Sequence, residues 1–206
     1  MKTEQTLSLE REIRKATRKM GVFGCFEVTI GFFGKERVDY MTYDTKGIFR
    51  CYEIKVSKAD FHSDAKKSFV GHYNYYVLTK ELYDSVKDEI PPGIGVYVGG
   101  ECVKRPRKVD IDNAPRYEYR RSVGGYSTTI YMPYTDMLKE SFIRSLYRDS
   151  DKLLQTQDQH FLNRLKARIE RTEKEYAEER RKYLSLYHKM EREIGYDRLR
   201  EIMERE

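Results

Sequence analysis

Asp39, Glu53 and Lys55 have the side chains of a divalent-cation site. They belong to two stretches with the residue pattern of β-strands, 37–44 and 48–56. Lys55 is two residues beyond Glu53, so both side chains point to the same face of their strand. Carboxylate oxygens and a main-chain carbonyl suit Mg²⁺ or Mn²⁺, and an amine beside them can hold an anion or help to move a proton.

The turn between the two strands decides whether the two acids meet. Residues 45–47 predict a three-residue hairpin loop, which needs a left-handed last residue, and Gly47 takes that conformation without steric cost. This register places Asp39 opposite Glu53, with β carbons ~4.5–5.5 Å apart. A four-residue loop would instead place Asp39 opposite Tyr52, on the wrong face. Two bare carboxylates at this range repel, and a raised pKa or a bound cation relieves the repulsion.

A surface ion pair is the alternative for Glu53 and Lys55, because Glu-x-Lys triplets occur in many strands that face solvent. The paired Asp39 favours a functional site over that alternative. Ile54 and Val56 are expected to face the core while the charged side chains face a cleft.

Strands and helices alternate along residues 1–150, which predicts an α/β domain whose mixed central sheet is flanked by helices. The stretch VKRPRKV fits either a strand or an arm, and residues 109–128 have the composition of a loop. The remaining predicted elements are a helix at 7–20 capped by Ser8, strands at 25–33, 74–79 and 93–98, and helices at 80–90 and 134–149.

Residues 151–206 predict a long helical tail that ends near Gly195. The spacing favours two alternatives about equally: a weak coiled coil that joins copies of the chain, or a single solvated helix with many charges. One line of residues spaced by seven is apolar, and its companion line is half polar: Leu162, Ile169, Tyr176, Tyr183 and Met190, then Leu165, Thr172, Glu179 and Leu186.

Composition limits the classes of function. The 206-residue chain has a formal net charge of +6, from 40 Lys and Arg against 34 Asp and Glu, and nearly all of this excess precedes residue 155. A basic domain fits a polyanion partner such as nucleic acid. The three cysteines form no CxxC pair, so we expect buried thiols instead of a zinc knuckle or a disulfide framework. No glycine-rich phosphate loop is present, which argues against ATP hydrolysis.

Two features that are missing from the sequence indicate where in the cell the protein is expected to lie. No apolar run approaches the ~20 residues that a membrane span requires, and the N-terminus has no signal-peptide pattern. We therefore expect a cytoplasmic protein without a membrane partner.

The stretch RVDYMTYDTKGIFRCYEIKVSKADFHSDAKK resembles the PD-(D/E)xK nuclease superfamily. It is more narrowly similar to MmcB-like DNA-repair proteins and to related short proteins of phages and mobile elements. The resemblance covers residues 25–98, and the superfamily's proline before the aspartate is replaced by Val38. Five residues match the Ser-x-x-Asp-Phe-x-x-Asp-x-Lys stretch of those proteins: Ser57, Asp60, Phe61, Asp64 and Lys66.

The resemblance implies a restriction-endonuclease-like fold and a Mg²⁺-dependent DNA nuclease or DNA-repair protein that hydrolyses phosphodiester bonds. Asp39, Glu53 and the Ile54 carbonyl would bind Mg²⁺ or Mn²⁺, and Lys55 would orient or deprotonate the attacking water. The resemblance also implies a further acid on the first helix. The candidates are Glu10 and Glu12, with Glu27 on the first strand as a third, and each of them is otherwise a solvated surface acid.

Basic residues beyond the two strands are candidates for binding the phosphate backbone. A solvated loop is the alternative for the second and third groups among them. The groups are Lys58, Lys66 and Lys67; Lys104, Arg105, Arg107 and Lys108; and Arg116, Arg120 and Arg121, which are interleaved with Tyr117 and Tyr119.

Two rival functions remain open at the level of the sequence. The chain is either a catalytically silent DNA-binding protein, or an interaction protein that uses the nuclease-like domain as a mount for its helical tail.

Overall fold

A six-stranded mixed sheet organises the computed structural model, which describes residues 2–32, 36–63, 68–123, 125–196 and 198. The third strand pairs in parallel with the fourth, and the fourth with the fifth, while the other neighbours are antiparallel. The predicted α/β class with a mixed sheet is confirmed. The strands lie in chain order: β1 (Val22–Thr29), β2 (Arg37–Asp44), β3 (Phe49–Lys55), β4 (Tyr73–Leu78), β5 (Gly95–Val98) and β6 (Glu101–Lys104).

Five helices accompany the strands in the described ranges. The first helix begins earlier than predicted, because Thr3 and not Ser8 is its N-cap. The Thr3 hydroxyl accepts the main-chain N–H of Thr6 at 3.2 Å. The helices are α1 (Glu4–Thr17), α2 (Lys58–Phe61), α3 (Lys80–Val86), α4 (Tyr134–Gln157) and α5 (Gln159–Ile194), with a 3₁₀ turn at Lys87–Glu89.

The prediction of a loop over residues 109–128 is wrong for its second half. Strands β7 (Tyr117–Val123) and β8 (Tyr126–Met132) form a separate antiparallel hairpin. Both strands carry polar side chains on each face, so the alternation that identifies a half-buried strand is missing from the sequence.

Helices cover both faces of the main sheet. On one face, α1 buries Leu9 and Ile13 against a layer of aromatic and aliphatic side chains that includes Tyr40, Tyr52 and Ile54. On the other face, α4 packs over β1 to β3 and α3 packs over β4 and β5, which gives two separate core clusters. The residues that α4 and α3 contribute are Met137, Leu138 and Phe142, then Leu82 and Val86.

The chain divides into two compact units, Met1–Asp149 and Ser150–Glu206. In the second unit, the Asp158 side chain caps α5 by accepting the N–H of His160 at 2.8 Å. The helix ends before Gly195, whose φ of 83° is outside the helical range, as the sequence predicts. The predicted long C-terminal helix is thus confirmed. Among the described residues, no helix combines the length and the apolar character needed to cross a bilayer.

Candidate functional site

The hairpin between β2 and β3 has the predicted turn. Gly47 has a φ of 82°, and its N–H donates to the carbonyl of Asp44 at 2.9 Å. The N–H of Asp44 in turn donates to the carbonyl of Ile48 at 3.2 Å. The three-residue loop and its register are confirmed along the ladder as far as the pair Tyr40 and Tyr52.

The ladder ends one residue before the two acids. Asp39 Oδ2 accepts the main-chain N–H of Ile54 at 2.9 Å. At this level β3 pairs with β4, where Glu53 lies beside Tyr76. The side chain of Asp39 therefore satisfies a main-chain donor of β3 and is anchored to that strand beside Glu53.

Glu53 and Lys55 lie on the sheet face opposite α1, between the cluster under α4 and the cluster under α3. Glu53 is 3% exposed and Lys55 is 7% exposed. Ile54 points to the other face, into the core with α1, as predicted. A buried acid and a buried amine are rarely placed at such a position unless they are paired.

The pKa values of both acids are raised, because the site disfavours charge. Burial raises the pKa of Glu53 to about 7, and the negative charge of Asp39 contributes to that rise. The N–H of Ser68, which donates to Glu53 Oε1 at 3.2 Å, opposes it. Burial also raises the pKa of Asp39, although the hydrogen bond from the Ile54 N–H and the positive charge of Lys55 both act to lower that pKa. A shared proton or a bound cation would relieve this pair.

Lys55 is held by an acid that the sequence analysis left without a role. Its Nζ donates to Asp60 Oδ1 at 3.4 Å, and Asp60 Oδ2 accepts the N–H of Val56 at 3.3 Å. Ser57 caps α2 by accepting the N–H of Asp60 at 3.1 Å. The sequence feature that could have indicated Asp60 is the Ser-x-x-Asp spacing, which is typical of a helix capping box. This cap fixes the first turn of α2 beside Lys55.

The donor atoms of this site fit a hydrated Mg²⁺ or Mn²⁺ ion. One oxygen of each carboxylate has no hydrogen-bond partner among the described residues. The fully buried hydroxyl of Ser68 also has none there. Water ligands of a cation would satisfy such groups. In the described ranges no three His, Cys, Asp or Glu side chains cluster as metal ligands, so a cation here would depend on Asp39, Glu53, main-chain oxygen and water.

The three candidates for a further acid lie elsewhere in the described structure. Glu10 and Glu27 both form ion pairs with Lys2. Lys2 is the main reason why the pKa of Glu27 is lowered. Glu12 accepts the Ser8 hydroxyl at 3.3 Å on α1. None of these contacts brings a third carboxylate to Asp39 and Glu53.

The predicted phosphate contacts near α2 are described only in part. Lys58 is exposed in the first turn of α2, beside the site. Lys66 and Lys67, with Asp64 of the resemblance, lie outside the described residues.

The second basic group contains one residue with a structural role. Lys104 Nζ donates to the carbonyls of Ile90 and Pro91, both at 3.0 Å, and so ties β6 to the end of the 3₁₀ turn. Arg105, Arg107 and Lys108 are exposed after β6. Three of the four predicted cations are therefore exposed to solvent, and Lys104 contributes to the fold.

Tyr117 and Tyr119 of the β7–β8 hairpin contact Phe32, which follows β1. Tyr119 stacks on Phe32 with ring centroids 4.3 Å apart, and the Tyr117 hydroxyl accepts the N–H of Phe32 at 3.3 Å. The Arg144 guanidinium lies 4.5 Å from the centroid of the same Phe32 ring. These contacts attach the hairpin to the loop after β1.

Comparisons with known proteins bear on the fold alone. No protein-family model matches the chain, and no curated protein matches it. A solved structure that is similar to the chain is the SPO1766 protein of unknown function from Silicibacter pomeroyi. The TM-score is 0.53 at 18% sequence identity, covering 74% of this chain and 93% of that one. The likeness supports the α/β architecture and carries no statement about activity.

Proposed function

We propose that the chain is a divalent-cation-dependent nuclease with a restriction-endonuclease-like domain, that it hydrolyses phosphodiester bonds, and that DNA is its substrate. The observation that supports this most is the pair of electrostatically coupled carboxylates, Asp39 and Glu53, beside the buried amine of Lys55. Two acids and one amine on neighbouring strands provide ligands for a cation and a donor for a phosphate or a water.

Each residue has a distinct task in this proposal. Asp39, Glu53 and the Ile54 carbonyl hold Mg²⁺ or Mn²⁺, which when bound lowers the pKa of a water and offsets charge on the phosphate. Lys55 donates to the attacking water or to a phosphate oxygen, and Asp60 orients it through the 3.4 Å contact. Because the pKa of Glu53 is about 7, the carboxylate pair holds a proton near neutral pH until a cation replaces it.

The basic charge of the domain supports a nucleic-acid substrate. Lys58, Arg105 and Arg107 are exposed and can contact phosphates without sequence preference. DNA repair is the cellular setting that the resemblance implies, and the comparisons neither favour nor oppose it.

The test combines cleavage with direct binding of Mn²⁺. Labelled single-stranded, duplex and branched DNA, and an RNA control, are incubated with the full chain and Mg²⁺. Asp39→Asn and Glu53→Gln are expected to abolish cleavage and to weaken Mn²⁺ binding measured by electron paramagnetic resonance. Lys55→Met is expected to abolish cleavage while Mn²⁺ still binds, because lysine is not a ligand.

Asp84→Asn is the matched control, since Asp84 is an exposed acid on α3 paired only with Lys80 among the described residues. It should cleave DNA and bind Mn²⁺ like the wild type. Cleavage that continues unchanged in both Asp39→Asn and Glu53→Gln rejects the proposed site.

The burial of the site favours a second candidate, a DNA-binding protein without cleavage. Glu53 and Lys55 are 3% and 7% exposed, which leaves little room for a phosphate at the buried end of the site. DNA binding in the presence of a chelator, with no product in Mg²⁺ on any of the substrates, would support this alternative.

A further inference from the structure

Helix α5 exposes an apolar stripe along most of its length. The helix has 36 residues and no buried one, so it extends over ~54 Å at 1.5 Å per residue. Tyr176, Tyr183 and Leu186 are 69%, 56% and 57% exposed, and Leu165 and Ile169 are 43% and 50% exposed. A helix that is solvated on all sides is expected to be polar all round, so this many large apolar side chains on one face indicate a surface that packs against a partner.

The stripe has the repeat of a coiled coil. Ile169, Tyr176, Tyr183 and Met190 follow one another at intervals of seven, with a companion line four residues before each: Leu165, Thr172, Glu179 and Leu186. These are the a and d positions of a heptad, which face a partner helix with the same repeat. A second copy of the chain has that repeat.

We propose that two copies of the chain dimerise through α5 as an antiparallel coiled coil. Glu179, the acid in this part of the seam, determines the orientation. In a parallel dimer, Glu179 would lie opposite Glu179 of the partner subunit, and two desolvated carboxylates repel. In an antiparallel dimer whose two-fold axis passes between residues 177 and 178, Glu179 faces the partner's Tyr176, whose phenol can donate to the carboxylate.

The same axis matches the apolar layers. Ile169 packs against the partner's Leu186, and Leu165 packs against the partner's Met190. Thr172 lies against the partner's Tyr183. Each of these layers occurs twice because of the two-fold symmetry. At the ends of the seam Leu162 meets the partner's Glu193, where solvent reaches the side chains.

Charges beside the seam are complementary at the centre. Glu173 lies next to the partner's Arg180, and Glu175 lies next to the partner's Lys182. In the single chain, neither Glu173 nor Arg180 has an ion pair with another described residue, whereas Glu175 pairs with Arg171 at 2.9 Å. Arg168 and the partner's Lys189 have the same charge and repel each other. They lie near the ends of the seam, where their long side chains can extend into solvent.

Sedimentation equilibrium of the full chain over a range of concentrations tests association. A dimer is expected for the wild type. Ile169→Asp with Leu186→Asp should give a monomer with unchanged helical content by circular dichroism of the folded chain. A wild type that stays monomeric up to about 100 μM, where even weak coiled coils associate, overturns the proposal.

Charge exchange tests the orientation. Glu173→Arg alone and Arg180→Glu alone should each raise the dissociation constant about tenfold, because each creates two repulsive contacts. The double variant should restore it, since the pair is simply reversed. In a parallel dimer Glu173 would instead face the partner's Arg168 and Arg180 would face the partner's Glu175. The double variant would then be weaker than either single variant, which overturns the antiparallel arrangement.

Glu178→Arg is the matched control. Glu178 is on the outer face of α5, away from the seam, so its charge reversal should leave the dissociation constant within about twofold of the wild type. An effect as large as that of Glu173→Arg would show that net charge, and not the seam, governs association, and would also overturn the proposal.

Discussion

Replacing Glu53 by glutamine should remove most of the pH dependence of stability between pH 5 and pH 8. In the folded chain the pKa of Glu53 is raised by burial and by Asp39 to about 7, from an ordinary value of 4.5. For an acid with a raised pKa, the free energy of unfolding is highest below the ordinary pKa, where the group is neutral in both the folded and the unfolded chain. That stability is lost as the pH rises from the ordinary value through about 7, because the unfolded chain ionises freely whereas the folded chain must ionise a buried carboxylate.

The magnitude follows from the size of the rise. At ~1.36 kcal/mol for each pKa unit, a shift of this size makes the ionised folded state roughly 3 kcal/mol less stable. The side chain is 3% exposed, so solvent screens little of this effect. Asp39, whose pKa is also raised, acts in the same direction. We therefore expect the wild type to be up to about 3 kcal/mol less stable at pH 8 than at pH 5 from Glu53 alone.

The assay is urea denaturation in the absence of divalent cations, followed by near-ultraviolet circular dichroism of the tyrosines. Glu53→Gln should match the wild type at pH 5 and exceed its free energy of unfolding by about 2–3 kcal/mol at pH 8. Glu81→Gln, an exposed acid on α3, is the control and should follow the wild type. If Glu53→Gln and the wild type give parallel curves across this range, Glu53 is not held in an environment that disfavours its charge.

Three further predictions test the fold. Gly47→Ala should lower the free energy of unfolding by about 1–2 kcal/mol, because φ is 82° and the added methyl group meets nothing within 4 Å, so the loss is backbone strain alone. Gly95→Ala should lower it by about 3 kcal/mol, since its Cβ would lie 2.5 Å from Tyr75 Cδ1, and the same urea titration compares the two. Of the three free thiols, Cys102 alone should react with a thiol reagent in the native protein, because the other two are buried, and a spectrophotometric count before and after denaturation checks this.

The β2–β3 hairpin could be predicted because its causes are local. Gly47 selects the turn, the turn sets the register, and the register assigns each residue to a face. The same reasoning missed the β7–β8 hairpin. Its stability comes from contacts with distant residues, such as the stack of Tyr119 on Phe32, and not from an alternating pattern of its own.

The residues that form the candidate site were only partly predictable from the sequence. The sequence indicated Asp39, Glu53 and Lys55, but it offered Glu10, Glu12 and Glu27 equally as further acids. The fold places Glu10 and Glu27 with Lys2, and brings Asp60 to Lys55. Ion pairs between distant elements depend on how helices pack, which spacing along a strand does not encode.

By itself, the sequence determined the β2–β3 hairpin, its turn and the side of β3 on which the acid and the amine lie, because these follow from backbone geometry over a few residues. The tertiary structure decided the burial of Glu53, its coupling to Asp39 and the partners of both. Desolvation requires that α3 and α4 cover the face on either side of the site, and no local segment can exclude water from a carboxylate alone.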